Sequence, residues 1–173
     1  MARVLFGVAP AIGHINPTIA IAQRLQSEGH TVAYACHPEM ASVLESAGLE
    51  LLYDFRWGDR IVEFLKALGT QPHQWMAIVR SARGRPISVW FKGLDEGIAQ
   101  LIALLRSWQP DVLVSDLLFQ PGPIAAEVCH LPYATSCPMV PPLFSSALPP
   151  YGWGFCRESG LIGAGGWRVR GST

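Results

Sequence analysis

The chain has 173 residues, half of them hydrophobic and 15% charged, with thirteen basic side chains balancing thirteen acidic ones. That length holds one domain with a real core. The neutral balance argues against a bulk-charge nucleic-acid binder, the apolar content excludes disorder, and four cysteines are too few for a disulfide-built mini-fold. Ordinary soluble domains carry about 25% charged residues, so the apolar excess implies a sheet covered on both faces or a surface meant for another molecule.

Two charge-free runs, residues 4–23 and 128–156, imitate membrane spans. The first is interrupted by Gly7, Pro10, Gly13, His14, Asn16 and Pro17, the second by six prolines, so neither is expected to span. The apolar start is too short for an export signal before turn formers intervene. The expected setting is therefore cytoplasmic, with the cysteines as thiols.

In chain order, residues 4–9 are a continuous apolar run, as a buried parallel strand requires. Asn16-Pro17 predicts a helix start, Ile19, Ala22 and Leu25 its apolar face, and Gly29 its end. Residues 31–36 are a second strand, Pro38 to Ala47 a second helix stopped by Gly48, and 49–53 a third strand. This β-α-β-α-β run is a mononucleotide-binding type of half-fold.

Residues 54–108 read as helical but irregular, with helices expected over 61–68, 74–82 and 86–108. A fourth strand follows over 112–115 and ends at Asp116, then a helix over 123–130 and a fifth strand over 133–137. Beyond Pro138 the periodicity is lost. Eight of fourteen prolines lie between Pro121 and Pro150, and seven of seventeen glycines between Gly152 and Gly171, so the end is expected as loop or linker. The expected fold class is α/β, a Rossmann-like doubly wound parallel sheet of order 3-2-1-4-5. Residues 1–151 would form the domain, and 152–173 a Gly-rich tail or the start of an interdomain segment.

In such a sheet, ligands bind beyond the carboxyl ends of the strands where the order reverses, here between strands 1 and 4. Strand 1 leads to Gly13-His14 and strand 4 to Asp116. A carboxylate against one imidazole nitrogen fixes the tautomer and leaves the other nitrogen to take a proton from a hydroxyl. Both residues could equally cap neighbouring helices, and pattern alone leaves the two readings side by side.

Other chemistries fit poorly. G-x-G-x-x-G is absent after strand 1, and strand 2 ends in Cys36-His37 rather than an acid. There is no Walker-type phosphate loop, no G-x-S-x-G around Ser115, and no C-x-x-C for a metal. His30 and His73 read as solvated or capping. Arg80, Arg83 and Arg85 form a small basic cluster that reads as a solvated face; peripheral contact with anionic lipid at the inner membrane surface is the alternative. Seven of seventeen aromatics (Tyr53, Phe55, Trp57, Phe64, Trp75, Trp90 and Phe91) fall in the irregular middle. They suit either core or an apolar ligand pocket.

Gly13-His14-Ile15-Asn16-Pro17, with Gly29-His30-Thr31-Val32 one helix later, resembles the N-terminal domain of family 1 glycosyltransferases of the GT-B fold, including macrolide and zeaxanthin glycosyltransferases. Pro110-Asp111-Val112-Leu113-Val114-Ser115-Asp116 resembles their fourth-strand signature. Ala125-Ala126-Glu127 and Leu131-Pro132-Tyr133 are similar to the next helix and strand, and Ala147-Leu148-Pro149-Pro150 with Trp153 more weakly so. The likeness covers roughly residues 1–155.

The resemblance implies an inverting sugar transfer in which His14 is the general base and Asp116 balances its charge. It implies a hydroxylated apolar small molecule as acceptor, met by Ile12, Gly13, Phe55, Trp57, Trp75, Trp90, Phe119 and Met139. The co-substrate would be a UDP- or dTDP-sugar, with no cofactor and no metal. That sugar nucleotide is bound mainly by a C-terminal donor domain, whose signature this sequence lacks. The chain therefore reads as an acceptor-binding half, needing a donor domain in cis or trans. The alternative is a stand-alone small-molecule-binding or docking module that pairs with a separate donor subunit.

Overall fold

The computed structural model describes residues 1–54, 56–59, 62, 66, 91, 93–138, 155–157 and 167–169. The chain divides into two units, Met1–Pro138 and Met139–Thr173. The first is a five-stranded parallel sheet: β1 (Arg3–Gly7), β2 (Thr31–Cys36), β3 (Glu50–Asp54), β4 (Val112–Asp116) and β5 (Tyr133–Ser136). Its order is β3-β2-β1-β4-β5, with every neighbouring pair parallel. The reversal lies between β1 and β4, as the crossover rule requires.

Four described helices cover the sheet: α1 (Ile12–Ser27), α2 (Ala41–Ser46), α3 (Leu94–Trp108) and α4 (Pro121–Val128). Two short 3-10 turns, Pro38–Met40 and Arg56–Gly58, also lie in this unit. β1 and β2 are buried and apolar on both faces, and the alternation of the strands divides the core in two. Val4, Phe6, Val32 and Tyr34 pack with Ile15, Ala22 and Leu44 of α1 and α2. Leu5, Ala33, Ala35 and Leu113 pack with Leu101, Leu105, Ala125 and Ala126 of α3 and α4. Full burial of a Leu or Phe such as Leu5, Phe6 or Leu113 contributes about 1.5–3 kcal/mol each. Much of the apolar excess is therefore spent inside a sheet covered twice.

Three boundaries differ from the sequence expectation for physical reasons. The first helix begins at Ile12, not Asn16, and Pro17 lies inside it. The Ala11 carbonyl accepts from the backbone N–H of His14 (2.9 Å) and of Ile15 (3.1 Å), so the helix starts without any side-chain cap. Burial of Ile15 and Thr18 offsets the bond that Pro17 cannot make. At the far end, Gly29 takes φ +86°, and His30 N–H bonds the Leu25 carbonyl at 3.1 Å, closing the helix where the sequence stops it. The fourth helix begins at Pro121, two residues earlier than expected, with proline in its first turn. Leu94–Trp108 carries the back of the long expected helix, entered from Gly93 at φ 75°; residues 86–90 lie outside the described set, as do most of the expected helices over 61–68 and 74–82.

In the second unit, Phe155–Arg157 (β6) and Trp167–Val169 (β7) pair antiparallel, where the glycine content pointed to loop. Among the described residues, no helix is long and apolar enough to cross a membrane.

The face under α1 sets an alkaline limit on stability. Tyr34 stacks on Phe6, with ring centroids 5.0 Å apart, and its hydroxyl lies 2.9 Å from Thr18 Oγ1. Burial pushes the Tyr34 hydroxyl up from 10.0 to about 12, a rise opposed by the Thr18 hydrogen bond and increased by neighbouring Cys36. Burial likewise pushes the Cys36 thiol up from 9.0 to about 12. Both groups hold their protons more tightly folded than unfolded. Their contribution is complete below pH 9.0 and is lost as pH rises towards about 12. Urea midpoints measured across this range are expected to fall, and to fall less steeply in Tyr34→Phe. Parallel slopes for the two proteins would contradict this account.

Candidate active site

β1 and β4 are adjacent and parallel, with Gly7 opposite Ser115. Their carboxyl ends therefore deliver two loops to one edge. After β1, the chain runs through Pro10 into α1 and places His14 in that helix's first turn. Asp116 is the last residue of β4. His14 Nδ1 lies 3.0 Å from Asp116 Oδ1 and 2.9 Å from Oδ2, across a sequence separation of 102 residues. His14 is 9% exposed and Asp116 1%.

A buried carboxylate is costly unless its oxygens are occupied. Here Oδ1 also accepts the Leu118 backbone N–H at 2.9 Å. An ionised carboxylate only accepts, so the proton shared with His14 sits on Nδ1. That leaves the lone pair on Nε2, which makes no hydrogen bond among the described residues. The arrangement can take a proton at Nε2 and stabilise the resulting imidazolium through Asp116. Neither side chain caps α1 or α4: α1 has no side-chain cap, and α4 is entered from Gln120.

A second histidine–carboxylate pair, not expected from the sequence, lies one residue beyond β2. His37 Nε2 is 2.7 Å from Asp59 Oδ1, and His37 Nδ1 accepts the Glu39 backbone N–H at 3.2 Å. Both ring nitrogens are thus engaged, so this pair has no nitrogen to offer a substrate. Its sequence signal was only the position of His37 at the end of a strand; nothing in the spacing pointed to Asp59.

The expected acceptor residues separate into three groups. Ile12 and Gly13 stand exposed at the start of α1, beside His14, and a Cβ added at Gly13 would meet nothing within 4 Å. Trp57 and Phe119 were expected on the pocket wall, yet they are 9% and 1% exposed and belong to the α3–α4 core. Their rings meet edge to face at 5.9 Å and 85°. Large apolar rings near a crevice gain more by filling space between secondary structures than by facing water. Phe55, Trp75, Trp90 and Met139 lie outside the described residues, as do Arg80, Arg83, Arg85 and His73. His30 accepts the Ala2 backbone N–H at 3.1 Å, a structural bond at the opposite end of the sheet. Among the described residues, no group of three or more His, Cys, Asp or Glu could hold a metal ion.

Comparison with known proteins agrees with this architecture. The chain is 30% identical over 128 residues to the NDP-glycosyltransferase YjiC of Bacillus subtilis (strain 168), covering 74% of this chain and 30% of that protein. It is 25% identical over 149 residues to the tylactone mycaminosyltransferase of Streptomyces fradiae, covering 76% of this chain and 33% of that one. The chain thus spans about a third of the length of these relatives. Among solved structures, it is similar to the spinosyn rhamnosyltransferase SpnG in complexes with thymidine diphosphate and with spinosyn aglycone. The TM-scores are 0.60 and 0.61, at 21% and 22% identity, each covering 82% of this chain and 36% of that one. At that identity the likeness concerns the fold, which is GT-B. The family model described as "Erythromycin biosynthesis protein CIII-like, N-terminal domain" matches residues 23–138, from the end of α1 through β5, including Asp116 and beginning after His14. The chain belongs to that family, as an N-terminal domain of the family 1 glycosyltransferases.

Proposed function

We propose that this chain is the acceptor-binding half of an inverting glycosyltransferase that moves a sugar from a UDP- or dTDP-sugar to a hydroxyl of an apolar small molecule. The acceptor-binding domain would span residues 1–151, with 152–173 beginning the passage to a donor domain. The observation that carries the reading is the His14–Asp116 pair at 2.9 Å, buried at the sheet's reversal point with Nε2 left over. The acceptor hydroxyl gives its proton to Nε2 as its oxygen attacks the anomeric carbon. The bond from that carbon to the diphosphate breaks, and the nucleoside diphosphate leaves from the opposite face. Asp116 holds the charge that His14 gains.

Ile12 and Gly13, exposed just before His14 in the first turn of α1, would meet the acceptor. The printed activities of the relatives support sugar transfer, and a neighbour solved with thymidine diphosphate supports a nucleotide-sugar donor.

If the division of labour is right, the chain by itself binds apolar hydroxylated polycycles measurably and UDP- or dTDP-glucose far more weakly. Isothermal titration against both sets tests it. Tight binding of the sugar nucleotide with none of the alcohols would reverse the assignment. Supplying a family donor domain, fused or as a second chain, is expected to restore transfer. Robust turnover by the chain without a donor domain would refute the half-enzyme reading.

A further inference from the structure

We infer that the Arg56–Gly58 turn, with Asp59 after it, is a positioning element that locks the His14 loop against the Asp116 loop. The inference rests on the proposed base role of His14, and it concerns residues that touch neither reacting atom.

The turn is held at four places. Asp59 Oδ1 takes a hydrogen bond from His37 Nε2 at 2.7 Å, tying the turn to the end of β2. Gly58 lies against Pro10, four residues before His14: a Cβ there would stand 2.8 Å from Pro10 Cγ. Trp57 meets Phe119 edge to face at 5.9 Å, and the Phe119 backbone N–H bonds the Asp116 carbonyl at 2.9 Å. On its other side, Trp57 fills the space left by Gly97 of α3, where a Cβ would stand 2.9 Å from Trp57 Cδ1. Phe119 in turn presses on the end of β1, where a Cβ at Gly7 would stand 2.6 Å from its ring.

One short turn therefore touches the segment that leads into the imidazole's helix and the segment following the carboxylate. The absent side chains of Gly7, Gly58 and Gly97 are occupied by neighbouring rings. Packed contacts of this kind transmit displacement instead of absorbing it. The His14–Asp116 contact joins residues 102 apart in sequence, and local hydrogen bonding along the backbone cannot set that distance. The wedge offers a mechanical reason why it falls at 2.9–3.0 Å.

The test is a paired substitution. Gly58→Ala drives a methyl into the Pro10 ring, and Pro10→Ala removes the ring it strikes. The direct readout is the downfield Hδ1 proton resonance that a histidine–carboxylate hydrogen bond gives in NMR of this chain, followed alongside thermal unfolding. Gly58→Ala is expected to shift or abolish the His14 Hδ1 resonance while the fold is retained, and Gly58→Ala with Pro10→Ala to return it. In the protein supplied with a donor domain, kcat should fall by up to ~10²-fold with acceptor KM little changed, as for a misplacement of about 1 Å. The double variant should recover.

A Gly58→Ala protein with lowered unfolding temperature but an unmoved Hδ1 resonance overturns the positioning role and leaves only structural packing. So does a double variant that fails to recover the resonance. A resonance that moves and recovers while His14→Ala leaves transfer intact sinks the base role of His14 and spares the wedge.

Discussion

Replacing His14 by alanine is expected to lower turnover of the donor-supplied protein by about 10²–10⁴-fold, the usual worth of a general base. Acceptor affinity should stay near normal, because the imidazole is 9% exposed and gives an acceptor little contact area beyond Nε2. The loss should therefore appear in kcat and not in KM, as it does when an interaction made in the transition state is removed. The substitution also leaves Asp116 buried with, among the described residues, only the Leu118 N–H on its carboxylate. An orphaned buried charge is destabilising, so the variant should unfold at a lower temperature. Acceptor titration on the same sample separates the two effects. Normal binding with lost turnover supports the base role, and unchanged turnover removes His14 from the chemistry.

The second large effect is expected at Asp116. From the sequence, Asp116→Asn should cost less than His14→Ala, because the carboxylate serves only orientation and charge balance. The hydrogen bonds raise that expectation. Leu118 N–H donates to Oδ1, so the asparagine oxygen is held there and its NH2 group takes the place of Oδ2, which lies 2.9 Å from His14 Nδ1. An NH2 group donates, which forces the histidine proton onto Nε2 and removes the lone pair that a base needs. Asp116→Asn is thus expected to lose turnover by an amount similar to His14→Ala, on the order of 10²–10⁴-fold. Stability moves the other way. A buried charge is exchanged for a neutral, hydrogen-bonded amide of the same shape, so the unfolding temperature should hold or rise. Activity and stability would separate in one variant. Full activity in Asp116→Asn would mean that the tautomer is not set by this contact.

How far the site was legible follows from where each part is encoded. His14 and Asp116 could be paired from the sequence because parallel strands send all their carboxyl ends to one edge, and the order reverses between β1 and β4. Strands 2 and 4 were legible to within a residue, since continuous apolar runs bounded by glycine and proline are local signals. The start of α1 was not. Asn16-Pro17 carries a strong local start signal, but burial of Ile15 and Thr18 and the pairing of His14 extend the helix four residues upstream. That Trp57 and Phe119 pack in the α3–α4 core was not legible for a similar reason: aromatic composition does not say which side of a loop a ring faces.

The chain opened as 173 residues with a high apolar share. The sequence by itself determined the doubly wound parallel sheet, its order and the edge at which His14 and Asp116 meet, because hydrophobic period and breaker residues act over a few positions. Only the tertiary structure decided that His14 keeps one ring nitrogen over while His37 keeps none, and that Trp57 and Phe119 pack edge to face inside the α3–α4 core. Those outcomes depend on distances between segments far apart in the chain, set by packing and by which buried polar atoms find partners.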